Sequence, residues 1–136
     1  MKALLIVLVV AFSAQAHAWN KVVECNNGDL VIDEQWDPSM RRMDHQLVLR
    51  GAPLQYFLEQ GAAPAANDKS ELVVALSPYN SELRGSTGGE TGEDGYTNYR
   101  TIHVSRHYDQ VTIRATFGNR IQGERELANW KFYGCR

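Results

Sequence analysis

The chain has 136 residues, a formal net charge of −2 and 22% charged residues. That length suits one ordinary domain with a real core and leaves no room for a second. The near-neutral balance argues against a nucleic-acid binder, which is normally basic overall.

Lys2, the apolar run 3–12 and the small residues around Ala16-His17-Ala18 have the order of a secretory signal peptide, with cleavage before Trp19. A membrane-spanning helix is the competing reading, but the run is roughly half the length that crosses a bilayer. Position 19 is not Cys, which argues against a lipoprotein anchor. Residues 1–18 are therefore expected to be a signal peptide and 19–136 a single β domain, periplasmic or secreted, with no membrane insertion after cleavage. Charge is uneven along that domain: residues 19–99 carry six basic and thirteen acidic side chains, and 100–136 carry seven and three. Two faces of opposite sign are the expected result.

Residues 21–25 and 29–33 flank Asn26-Asn27-Gly28. An Asn-Gly pair between alternating apolar runs predicts a hairpin in which Cys25 faces Leu30 and Val23 faces Ile32, with Cys25 on the buried side. Further strands are expected over 46–50, 71–76 and 127–133, the last with Trp130 and Phe132 on one side and Lys131 and Tyr133 on the other. Residues 53–61 are ambiguous: Pro53, then Leu54, Phe57 and Leu58 at helical spacing, then Gly61 favour a short helix near 53–60, although Leu54, Tyr56 and Leu58 also alternate. Residues 61–69 and 85–95 read as loops, the second Gly-rich and acidic without an apolar residue. The side-chain pattern registers a second hairpin, 99–106 with 111–117. Ile102 and Val104 then meet Ala115 and Ile113 on an oily face, and His103 meets Arg114 on a wet one, across a turn at 107–110.

An exported chain with two thiols most simply pairs them, so Cys25 is expected to bond Cys135. Six or more short strands and one such bond predict an all-β fold, a small antiparallel barrel or sandwich.

Chemistry is faint. His103 and His107 would stand about 13 Å apart on a strand, too far for one ion, and the acids at 90–94 lack the alternation of a calcium loop. No metal, cofactor or catalytic residue is assigned: a nucleophile elbow and a phosphate-cradling Gly motif are both missing. Tyr96, Tyr99 and Tyr108 lie among Arg100, Arg106 and Arg114. That combination suits either a protein interface or the solvent face of a sheet.

Tyr96-Thr97-Asn98, followed by Ser105-Arg106-His107 before the strand 111–116, and the Cys25 and Cys135 pair resemble features of the bacterial periplasmic inhibitors of c-type lysozyme. The likeness covers about a quarter of residues 19–136. In this chain Thr91-Gly92 lies one residue too far from Tyr96 for the family's Ser-Gly-x-x-Tyr, and Arg106-His107 stands where Lys-Gly is usual. The resemblance implies an exported, non-catalytic protein-binding module whose partner is an extracytoplasmic protein, a c-type lysozyme. The resemblance points to Tyr96, Ser105 and Arg106 as contacts, and the loop acids Glu90, Glu93 and Asp94 join the expected surface because a basic target would be drawn to their charge. A hollow, lipocalin-like barrel for a small ligand is the alternative, and a hydrolase a third.

Overall fold

The computed structural model describes residues 19–63 and 70–136. The expected signal peptide lies outside the described residues, as does 64–69 of the loop expected over 61–69. Eight strands follow one another in a single antiparallel sheet whose spatial order is the chain order. They are β1 (Asn20–Cys25), β2 (Leu30–Asp37), β3 (Arg42–Arg50), β4 (Glu71–Tyr79), β5 (Glu82–Thr91), β6 (Thr97–His107), β7 (Gln110–Asn119) and β8 (Gly123–Phe132), with one helix, α1 (Gly51–Glu59), between β3 and β4.

The first hairpin has the expected register, Cys25 opposite Leu30 and Val23 opposite Ile32. Asn26 (φ 51°), Asn27 (φ 55°) and Gly28 (φ 98°) all occupy positive φ, so four residues, 26–29, join the strands, with the left-handed backbone of a primed turn at their centre, Asn27-Gly28. The Asp29 N–H donates to the Asn26 carbonyl at 3.3 Å across it. The second hairpin also keeps its predicted register, from Thr101 with Thr116 to Arg106 with Val111. One further pair, His107 with Gln110, shortens the expected four-residue turn to Tyr108-Asp109.

Two expectations are corrected. Only 92–95 of the stretch 85–95 is a loop, because β5 runs on to Thr91, paired with Thr97. Without apolar residues it carries no strand signature, yet β6 supplies a hydrogen-bonding edge and Tyr99 packs against Gly89. His103 is not an exposed side chain on a wet face: it is 2% accessible, crowded by Glu82, Arg84 and Thr116.

Helix α1 begins after extended Arg50, with Pro53 in its first turn where no intrahelical donor is lost. Gly61 (φ 68°) ends it, its N–H donating to the Leu58 carbonyl and that of Ala62 to Phe57. Leu54 and Phe57, three apart, are buried together with Leu47, Leu49, Ile102, Ile113 and Phe132, which come from both halves of the sheet. Each such side chain contributes about 1.5–3 kcal/mol.

The sheet curls into a half-barrel. β4 is the corner: residues up to Leu76 pair with β3, whereas Ser77–Tyr79 pair with β5. The tail beyond β8 reaches back to β1. Gly134 (φ 67°) redirects the chain, and Arg136 and Glu24 exchange two backbone hydrogen bonds of 3.0 Å. Cys25 and Cys135 are bonded and buried, 110 residues apart in sequence. A disulfide of this kind is the property of an oxidising, extracytoplasmic compartment.

Candidate functional site

The acidic stretch forms the tip of the β5–β6 hairpin. Beyond the last pair, Thr91 with Thr97, the Gly92 N–H donates to the Tyr96 carbonyl (2.9 Å) and that of Gly95 to Gly92 (3.1 Å). Asp94 organises what remains. Its Oδ1 accepts the Tyr96 N–H at 3.0 Å, and its Oδ2 accepts the Gln122 side-chain amide at 3.0 Å. These bonds stabilise the charged form, the Gln122 amide most, and hold the Asp94 carboxyl below the usual aspartate range.

Gln122 belongs to the neighbouring β7–β8 hairpin, whose turn is built on Asn119. The Asn119 Oδ1 accepts the N–H groups of Ile121 (2.9 Å) and Gln122 (2.7 Å), and its Nδ2 donates to Asn98 on β6 (2.7 Å). Two hairpin tips are thus tied into one surface, and on it Tyr96, Tyr99 and Ile121 are exposed, Ile121 by 76%. Sequence reasoning missed Asn119, Ile121 and Gln122. The signal that finds them is Gly118 and Gly123 bracketing a polar segment, the composition of a turn.

Glu90 is less available than expected. Its Oε1 meets the Arg100 guanidinium at 2.8 Å, and Arg100 also donates to the Gly61 carbonyl and lies over the Phe117 ring. Glu93 and Asp94 have no cationic partner within 4 Å among the described residues, so the negative charge of the tip resides on them.

Ser105 and Arg106 are elsewhere. They lie at the other end of β6, ten residues from Tyr96, which is on the order of 30 Å along a strand. The expected contact surface is therefore divided: Glu90, Glu93, Asp94 and Tyr96 come together, and Ser105 and Arg106 do not join them. Arg106 is instead turned towards its own hairpin, donating from Nε to the Tyr108 carbonyl at 2.9 Å. The Tyr and Arg residues are likewise spread over both ends, with Tyr96, Tyr99 and Arg100 at one and Arg106 and Tyr108 at the other.

His45, His103 and His107 do not converge: no group of three or more His, Cys, Asp or Glu side chains among the described residues is placed to hold a metal ion. No described helix is long and apolar enough to cross a membrane. No family model, curated protein or solved structure matches the chain.

Proposed function

We propose that this protein is an exported, non-catalytic binding module that engages a basic extracytoplasmic protein through its paired hairpin tips. The observation that carries this is the bracing of the acidic tip by a second hairpin, Asp94 to Gln122 at 3.0 Å. A tip held this way pays little ordering entropy on binding, and its exposed aromatic and aliphatic groups offer desolvated contacts beside unpaired carboxylates. The target implied by the family resemblance is a c-type lysozyme, a strongly basic protein whose cleft would receive the tip.

Surface plasmon resonance against a basic c-type lysozyme tests the reading. Binding at micromolar concentration or tighter is expected. Glu93→Gln combined with Asp94→Asn should slow association, most at low salt, because long-range attraction governs encounter. Tyr96→Ala should chiefly speed dissociation, by roughly 1–3 kcal/mol for an anchoring aromatic. No binding by the unmodified protein rejects lysozyme as the target, and unaltered kinetics in both variants removes the tip from the interface.

A further inference from the structure

The far end of the half-barrel holds a cavity of about 390 Å³, between β1 and the corner where β4 turns into β5. It exists because the sheet is open there. The β4–β5 turn at Asn80-Ser81 and the β1 bulge at Val22, between Lys21 and Val23, form its rim. Val23, Ile32, Leu83 and Val104 form its apolar wall, with Val22 exposed at its edge. These are inward-facing side chains continuous with the core. The volume lies at the small end of those that hold ligands.

The polar groups on this wall are few and unequally satisfied. Glu82 is already neutralised, meeting Arg84 at 3.1 Å and His103 at 3.0 Å. Arg106 lines the cavity with no carboxylate within 4 Å among the described residues, and its one side-chain hydrogen bond, from Nε to the Tyr108 carbonyl, leaves its charge without an anionic partner. His45 reaches Glu34 through Nε2 at 3.8 Å, while its Nδ1 is shut off from solvent without a hydrogen-bond partner. A polar atom buried in that state is costly unless something else supplies a partner.

We propose that this cavity binds a small amphiphilic carboxylate, a medium-chain acyl or similarly sized apolar acid, with its tail against Val23, Ile32 and Val104 and its head at the Arg106 guanidinium. The apolar wall selects the tail. The unmatched cation selects an anionic head, and a planar guanidinium suits a carboxylate. An acyl chain of about ten carbons matches a cavity of this size better than a long-chain lipid. The site is at the opposite end of β6 from the acidic tip and does not rest on protein binding by that tip.

Isothermal titration on the disulfide-bonded protein, residues 19–136, provides the test, with decanoate, decanol and decyltrimethylammonium as probes below their micellar concentrations. Decanoate should bind saturably at one per chain, decanol at least about tenfold more weakly, and the cation not at all. Arg106→Gln, a change at an exposed position, should lower decanoate affinity about tenfold and leave decanol unaffected. In methyl NMR spectra decanoate should shift Val23, Ile32 and Val104. Absence of saturable decanoate binding, equal affinity for the three head groups, an unchanged Arg106→Gln variant, or shifts confined to other methyls would each overturn the proposal.

Discussion

At the scale of single residues, two polar side chains do work that their sequence neighbours do not announce. Asp94 is held ionised by the Gln122 amide and the Tyr96 N–H. Because its folded-state pKa is lowered, its contribution is present above the ordinary aspartate range and is lost as pH falls through the lowered value. Carboxyl-detected NMR should therefore show Asp94 titrating below an ordinary aspartate, and Gln122→Ala should raise that midpoint; a midpoint indifferent to the substitution would mean that Gln122 does not hold the carboxylate. His103 is the second case. Its Nε2 meets the Thr116 hydroxyl at 2.9 Å, and its Nδ1 lies near both Glu82 and Arg84. His103→Ala should cost roughly 1–3 kcal/mol in urea unfolding, since Thr116 loses its partner in a buried setting. The alternation of the strand places His103 on the outer face, as Ser105 and Thr101 are, and this much is legible from the chain. Its burial is not, because the groups that cover it come from β5 and β7, at sequence distances of 13 to 21 residues.

Among the elements, the corner at β4 and β5 is the most demanding. Gly85 lies opposite Ile102 on the inner face, and a Cβ there would run into the Ala75 carbonyl and the Val74 side chain. Gly85→Ala should consequently destabilise the fold by about 1–3 kcal/mol, as overpacking does, and the same change at Gly88, where a Cβ meets nothing within 4 Å but φ is +154°, should act through backbone strain alone. Denaturant midpoints with unchanged slopes would bear this out. Glycine reads locally as a breaker, which is why 85–95 looks like a loop. In the sheet Gly85 admits the close approach of β4 to β5, and a bulge in the pairing with β6 follows between Ser86 and Gly88. Helix α1 was more legible, since Leu54, Phe57 and the terminal Gly61 form a local pattern that tertiary packing merely uses.

For the whole molecule, the disulfide is the closing element of an otherwise open sheet. Linking residues 110 apart should contribute about 4–5 kcal/mol by restricting the unfolded chain. The Cys25→Ser, Cys135→Ser protein should unfold at markedly lower urea than the oxidised one. An unchanged midpoint would show that the backbone bonds between Arg136 and Glu24 suffice for closure. Open-ended closure also separates the two candidate sites. The acidic tip and the apolar cavity sit at opposite ends of β6, so substitutions at Glu93 and Arg106 should be energetically independent, adding within about 0.5 kcal/mol in a double-mutant cycle on stability.

Patterns of neighbouring residues place seven of the eight strands and both hairpin registers and favour the helix, because side-chain alternation, helical spacing and turn chemistry act over a few residues. The pairing of Cys25 with Cys135 also follows from the chain alone, once only two thiols are available in an oxidising compartment. Only the folded chain decides that β5 extends through a glycine-rich acidic run, that Gln122 braces Asp94, and that Arg106 belongs to a cavity rather than to the acidic tip. Those outcomes depend on which strand ends the curl brings together. That curl is set by the sum of twist and bulges across eight strands, so no local segment carries it.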